Sequence, residues 1–180
     1  VTPVFTVRVV WISTWFDPGL ERTASDALLD QGVDVLAHFT DSPAVVQAAE
    51  DRGKYVVALG DMAQYGPDSH LTALVYEWGP YYVERVQAVL DGTWETSNTW
   101  EGISADMMTI APFNDAVPQD VRDAVLAKKE EIRTGAFHPF QGPLVAQDGS
   151  VKVAAGELPD DGMLLSMDFY VEGVEGSLPN

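Results

Sequence analysis

Aromatic and acidic side chains recur directly after four apolar, strand-like segments of the chain. In an open parallel sheet the carboxyl ends of the strands meet at one edge, and ligands bind beyond that edge. We therefore expect these side chains to lie together and to form a binding site. The candidate residues are Trp15, Phe16, Asp41, Ser42, Asp61, Tyr76, Glu77 and Trp78.

This mixture of rings and carboxylates suits a flat, polar heterocycle. Aromatic rings offer faces for stacking, and carboxylates accept hydrogen bonds from ring N–H groups, exocyclic amines or sugar hydroxyls. Helix N-termini after the first and second strands add backbone donors. A phosphate-bearing ligand is disfavoured, because the rim is acidic and the sequence holds neither G-x-G-x-x-G nor G-x-x-x-x-G-K-[ST].

Each candidate also fits an ordinary structural role. Trp15 fits a cap on the apolar core as well as a stacking ring. Asp17 is better explained as a helix cap than as a ligand contact, and Asp41 also fits a cap. Asp61 follows an apolar strand and is less easily explained in that way. The residues after the fourth segment that also fit simple packing are Tyr76 and Trp78.

The three histidines give little support for a metal site or an enzyme. His38, His70 and His138 lie far apart and lack metal-ligand spacing. His38 and Asp41 suggest a proton-transfer pair, but no third partner is visible, and no G-x-S-x-G motif is present. We predict no catalytic residue, no metal and no cofactor, with a Rossmann-like enzyme using Asp17, His38 and Asp41 as an alternative.

Alternating strands and helices must position the candidate residues. Asp17 predicts a helix start, with Pro18 in the first turn and Glu21 completing a box-like N-terminus. The segment TDSPAVVQAAEDRG predicts a second helix, capped by Asp41 or Ser42. Strand-like segments precede, separate and follow these helices: VFTVRVVWIS, VDVLAHF, KYVVALG and HLTALVYEW.

This order predicts an α/β fold with a doubly wound, mainly parallel sheet and helices on both faces. Residues 1–113 are expected to form a Rossmann-like lobe. Residues 114–180 are expected to add a helix, a C-terminal β-hairpin that turns at Asp148-Gly149, and a tail.

The chain is strongly acidic. Its 180 residues include 28 acidic and 10 basic side chains, for a formal net charge of −18. This balance argues against nucleic acid or anionic lipid as a partner, because both require a basic surface. It leaves a small ligand open. The absence of cysteine excludes disulfides and thiolate metal sites.

Nearly the whole chain resembles the second lobe of the BMP (basic membrane lipoprotein) family of ABC-transporter substrate-binding proteins. The resemblance rests on TWFDPGLERTASDALLDQGVDVLAHFTDSPAVVQAAEDRGKYVVALGDM, LTALVYEWGPYYVERVQAVLDGTW, IAPFNDAVPQDV, FHPFQGPLVAQDGSVKV and LLSMDFYVEGVEG. It implies one lobe of a type I periplasmic-binding-protein fold. It also implies a non-enzymatic component that binds a purine base or nucleoside in an interlobe cleft and delivers it to a membrane permease.

The family pattern Ser-Phe-x-Asp-Pro places its stacking aromatic at Trp15. The resemblance also implies that Asp61 matches a sugar contact of nucleoside binders. Two departures stand out: TDSP replaces a glycine-rich turn at Asp41 and Ser42, and the lysine expected near Glu77 is absent. Loss of that lysine moves the expected ligand from a nucleoside toward a free, adenine-like base.

The resemblance further implies that a first lobe, missing here, supplies the other wall of the cleft. We expect an exposed apolar boundary toward that lobe and leave open a dimer formed through it. The expected location is periplasmic or otherwise extracytoplasmic, with a lipid anchor at a missing N-terminus left open. A ligand-sensing regulatory protein on the same scaffold is a further alternative.

Overall fold

The computed structural model describes residues 6–179, which form two compact units. The smaller unit combines residues 6–14 with 137–179, and the larger unit contains residues 15–136. Residue 113, where the sequence suggests a boundary, lies inside the larger unit.

The helices and strands follow one another in the predicted alternating order over the larger unit. In chain order the elements are β1 (Val7–Arg8), α1 (Pro18–Asp30), β2 (Val35–Ala37), α2 (Ala44–Asp51), β3 (Tyr55–Leu59), β4 (His70–Tyr76), α3 (Trp78–Leu90), β5 (Met108–Ile110), α4 (Gln119–Arg133), β6 (Leu144–Val145), β7 (Val151–Val153), α5 (Asp161–Leu165) and β8 (Val174–Glu175). Short 3-10 helices lie at Ala63–Tyr65 and Ile103–Ala105.

The main sheet has four strands in the order β2-β3-β4-β5. The pairs β2-β3 and β3-β4 are parallel, whereas β5 runs antiparallel to β4. Helix α2 connects the parallel strands β2 and β3, whereas the connection between β3 and β4 contains only the short 3-10 helix Ala63–Tyr65. The predicted α/β class with a mainly parallel sheet is confirmed.

The predicted first strand is shorter than expected and does not belong to the four-stranded main sheet. Only Val7–Arg8 of VFTVRVVWIS is a strand among the described residues, and it pairs in parallel with β8 of the same smaller unit. Val10 and Trp11 beyond it are about half exposed. The expectation that this segment joins the main sheet was wrong, because its partner comes from the distant tail and no local pattern reveals it.

Helix α1 begins as predicted. The carboxylate of Asp17 accepts hydrogen bonds from the backbone N–H groups of Gly19 and Leu20, each at 3.0 Å. Pro18 occupies the first turn, where a missing N–H costs nothing. The helix ends before Gly32, whose φ of +86° is a conformation that glycine adopts without strain.

The apolar core of the larger unit lies where α1 and α2 pack on each other and α2 packs on β2 and β3. Helix α2 buries five of its eight residues: Ala44, Val45, Val46, Ala48 and Ala49. Leu36 of β2 is in register with Val56 of β3, and both side chains are buried in this core. This core holds α1, α2, β2 and β3 together.

In the smaller unit, β6 and β7 form the predicted hairpin. The carboxylate of Asp148 accepts hydrogen bonds from the backbone N–H and the hydroxyl of Ser150, and Gly149 has a φ of +82°. Within residues 6–179, no helix combines the length and the apolar character needed to cross a bilayer.

Candidate functional site

Two loops of the larger unit are joined beside the end of β2. The backbone N–H of Asp41 donates to the carbonyl oxygen of Trp15 at 2.9 Å. The rings of Trp15 and Phe39 lie 6.2 Å apart, tilted by 56°. Trp15 is 66% exposed, Phe16 is 62% exposed, and Asp41 is also exposed. Trp15 therefore presents its ring to solvent and does not cap the core.

The buried side chain of Glu21 joins these two loops through hydrogen bonds. Its side chain is only 2% exposed, and Oε2 accepts hydrogen bonds from the hydroxyls of Thr40, at 2.9 Å, and Ser42, at 2.7 Å. Oε1 accepts the backbone N–H of Asp17 at 3.1 Å. The box-like helix start that the sequence predicts is present. The contacts to the second loop were not anticipated, although the paired hydroxyl residues of TDS were a usable signal.

Ser42 belongs to this supporting layer. It is fully buried, and its hydroxyl donates to Glu21 while accepting the backbone N–H of Ala44 at 3.2 Å. It therefore helps to start α2, although Pro43 occupies the cap position. Its neighbour Asp41 does not cap α2 and instead lies exposed at the surface of the loop.

His38 lies at the end of β2, against the same loop. Its Nδ1 is 3.1 Å from the carbonyl oxygen of Thr40, so the proton on this nitrogen can be donated there. Burial lowers the pKa of His38 below its ordinary value and favours the neutral ring. No metal-binding cluster of histidines and carboxylates occurs among the described residues.

Asp61 lies at the end of the neighbouring strand β3. Because β2 and β3 are parallel, their carboxyl ends share one edge of the sheet, which places Asp61 on the edge that carries Asp41. Asp61 is exposed, and its Oδ1 accepts the backbone N–H of Ala63 at 3.2 Å. A carboxylate has further lone pairs, so Asp61 keeps the capacity to accept from a ligand.

A cluster of four aromatic rings lies at the end of β4 and the start of α3. Trp78 is 5.8 Å from Tyr76, 6.0 Å from Tyr81 and 5.9 Å from Tyr82, measured between ring centroids. Trp78 is 45% exposed. Tyr76 and Trp78 were predicted from the sequence as site residues, but Tyr81 and Tyr82 were not, although WGPYY places both tyrosines in the first turn and a half of α3.

Glu77 lines a separate, open groove of about 420 Å³ beside α3. Its backbone N–H donates to the carbonyl oxygen of Met107 at 2.9 Å. The guanidinium carbon of Arg85 lies 4.9 Å from the centre of the Tyr81 ring on the groove wall. Glu77 lies between β4 and α3 in the chain, and its hydrogen bond to Met107 holds it to the residue directly before β5.

The chain is similar to known solute-binding proteins. Residues 1–136 match the family model described as ABC transporter substrate-binding protein PnrA-like. A purine-binding protein of Brucella abortus (strain 2308) is 48% identical over 180 residues, covering 99% of this chain and 51% of that protein. A Haloferax volcanii protein named as an ABC transporter glucose-binding protein is 31% identical, covering 100% of this chain and 44% of that protein.

Among solved structures, a transcriptional activator of the comK gene from Bacillus halodurans has a TM-score of 0.65. At 23% identity, over 72% of this chain and 47% of that one, this similarity concerns the fold alone. The chain spans about half the length of the curated relatives that it matches. The matched family consists of solute-binding proteins rather than enzymes. The chain belongs to the Bmp family of PnrA-like ABC transporter substrate-binding proteins.

Proposed function

We propose that this chain contributes one wall of the ligand site of an extracytoplasmic ABC transporter substrate-binding protein, and that the ligand is a purine, with a free adenine-like base preferred. The observation that carries the proposal is the exposed ring of Trp15 hydrogen-bonded through its backbone to the loop of Asp41. The 48% identity to a purine-binding protein supports the ligand class.

In this proposal Trp15 stacks on the purine ring. A base offers a flat π-face, and stacking on an aromatic side chain contributes about 1–3 kcal/mol per base. Phe16 and Phe39 extend the apolar surface around the ring. Asp41 accepts a hydrogen bond from a ring N–H or an exocyclic amine, as an ionised carboxylate accepts and does not donate.

Asp61 is the second proposed acceptor, and Tyr76, Glu77 and Trp78 are proposed to line the rim. Ser42 contributes through Glu21 rather than by touching the ligand, since its buried hydroxyl already donates and accepts. No side chain among these carries a positive charge that would favour a phosphate. A nucleobase or nucleoside therefore fits better than a nucleotide.

The second wall of the site, in this proposal, comes from the first lobe of the longer family members. Closure of two lobes around a hinge would bury the ligand and present the closed form to a permease. The proposed location of this two-lobed protein is outside the cytoplasm. A lipid anchor and a dimer are not needed for this mechanism and form no part of the proposal.

A calorimetric titration of the two-lobed protein, in which a first lobe supplies the second wall of the site, with adenine, adenosine, AMP and glucose tests the ligand class. We expect saturable heat with adenine, weaker binding of adenosine, and none with AMP or glucose. Glucose is included because one relative is named as a glucose-binding protein. Binding of glucose without any purine would overturn the proposal, and binding of adenosine alone would overturn the preference for a free base.

A further inference from the structure

We infer that Glu21 is a positioning residue of the ligand site: it fixes the separation between Trp15 and Asp41 without touching the ligand. The inference rests on the proposed function, because it assigns a role within that same site. Its structural part, the holding of one loop against the other, stands on contacts within residues 15–136 and can be measured without any ligand.

The Glu21 carboxylate is buried. Its side chain is 2% exposed, and a buried charge is costly unless hydrogen bonds compensate it. Three donors do so here: the backbone N–H of Asp17 and the hydroxyls of Thr40 and Ser42. A carboxylate with this many protein donors, and so little exposure, has a structural use and no access to a ligand.

The three donors belong to two different loops. Asp17 lies two residues after Trp15, in the turn that starts α1. Thr40 and Ser42 flank Asp41, in the loop between β2 and α2. The carboxylate therefore joins the turn that carries the proposed stacking ring to the loop that carries the proposed acceptor.

A backbone hydrogen bond also joins the two loops. The N–H of Asp41 donates to the carbonyl oxygen of Trp15 at 2.9 Å, so the two loops meet at a second point. Together these bonds close a ring that runs through Trp15, Asp17, Glu21, Thr40 and Asp41. Removing the carboxylate leaves two hydroxyls and one backbone N–H without their acceptor, which releases one loop from the other.

A glutamine at this position should preserve the geometry. Its carbonyl oxygen can accept from Asp17, and its amide can donate to Thr40 and Ser42, because hydroxyl groups can turn and accept instead. An alanine can do neither. Comparing glutamine with the native glutamate isolates the effect of the negative charge. Comparing alanine with glutamine then measures the loss of the hydrogen bonds together with the side-chain volume.

The experiment compares Glu21→Ala, Glu21→Gln and the control Val56→Ala. Val56 is fully buried near the start of β3, away from the site, and its truncation lowers stability without touching either loop. The ligand-free readout is native-state hydrogen exchange of the Asp41 amide, measured by NMR. The functional readout is the adenine affinity of the two-lobed protein by calorimetry, with the unfolding midpoint recorded for every variant.

In Glu21→Ala we expect exchange of the Asp41 amide to accelerate about tenfold or more beyond the change at other protected amides, and adenine affinity to fall by about tenfold. Glu21→Gln should stay within about threefold of the wild-type protein on both readouts. Val56→Ala should lower the unfolding midpoint while leaving adenine affinity unchanged.

Unchanged exchange at Asp41 in a folded Glu21→Ala protein would overturn the inference. If exchange accelerates but adenine affinity does not change, the functional part is overturned and the loop-holding role alone survives. If the wild-type protein binds no purine, the proposed function fails while exchange still decides whether Glu21 holds the loop. If Glu21→Ala does not fold, Thr40→Val removes one donor from the loop side, and unchanged exchange at Asp41 in that variant overturns the inference.

Discussion

The backbone N–H of Asp41 lies 2.9 Å from the carbonyl oxygen of Trp15, although 26 positions separate the two residues along the chain. This bond places an exposed indole and an exposed carboxylate at one end of the sheet. Neither residue is needed for the apolar core. Their positions are set by the start of α1 and by the loop between β2 and α2, which Glu21 joins.

Replacing Asp17 tests the start of α1. Asp17→Ala removes the acceptor for the N–H groups of Gly19 and Leu20 and should lower the free energy of unfolding by about 1 kcal/mol. Denaturant unfolding followed by circular dichroism measures this change. Asp17→Asn is the control, since asparagine caps helices about as well as aspartate. Equal stability of the alanine variant and the wild-type protein would contradict the capping role.

Truncating Leu36 tests the apolar core of the larger unit. Leu36 is 3% exposed, so Leu36→Ala should cost about 2–5 kcal/mol of unfolding free energy through lost burial and a residual cavity. Leu90 in α3 is 75% exposed, and Leu90→Ala should change stability by less than about 0.5 kcal/mol. Similar losses at the two positions, measured by the same unfolding method, would show that the core has been placed wrongly.

The histidine at the end of β2 should make stability depend on pH. Burial lowers the pKa of His38, and its hydrogen bond to Thr40 and the charge of Glu21 only partly oppose this effect. The unfolded chain therefore takes up a proton near the ordinary value of about 6.5 while the folded protein does not. Stability from this group is present above about pH 6.5 and is lost as pH falls toward the lowered pKa.

His38→Gln should remove that part of the pH dependence. The measurement is the unfolding free energy of both proteins between about pH 7.5 and pH 5.5, a window set by the ordinary histidine pKa of about 6.5. We expect the wild-type protein to lose more stability than the variant as the pH falls. Parallel curves would mean that His38 titrates alike in the folded and unfolded chain. His138→Gln is the matched control, because it lies in the other unit.

The carboxylate of Asp41 should contribute to the affinity for adenine. Asp41→Asn replaces one acceptor oxygen by a donor group, so a ligand N–H that faced that oxygen would face N–H instead. Adenine affinity should fall by about tenfold, as for loss of a hydrogen bond to a charged group. The calorimetric comparison includes Asp34→Asn, an exposed aspartate before β2, as its control. Equal adenine affinity in Asp41→Asn and the wild-type protein would remove Asp41 from the site.

Local sequence signals predicted much of the fold and part of the site. The cap at Asp17, the strand Tyr55–Leu59 and the hairpin at Asp148-Gly149 each depend on neighbouring residues, and all three are present. The position of the first strand was missed, because it depends on pairing with Val174–Glu175 at the other end of the chain. Long-range pairing leaves no periodic signal within the segment itself.

The candidate site divides in the same way. Asp41 and Asp61 follow the neighbouring parallel strands β2 and β3, so their common edge could be predicted from parallel-sheet geometry. Trp15 follows a segment outside the main sheet, and its hydrogen bond to Asp41 could not be predicted in that way. The burial of Ser42 could not, because it depends on a carboxylate 21 positions earlier that turns inward from α1. A serine after a strand reads equally well as a ligand contact, a helix cap or a partner of a buried charge.

Titrating adenine into the wild-type two-lobed protein, Trp15→Ala and Trp15→Phe tests whether Trp15 is the stacking surface. If Trp15 is the stacking surface, the alanine variant should lose at least about tenfold in affinity, and phenylalanine should restore most of it. All three proteins should unfold at similar temperatures, since the ring is 66% exposed. Saturable adenine binding of equal strength in the wild-type protein and Trp15→Ala would contradict the claim.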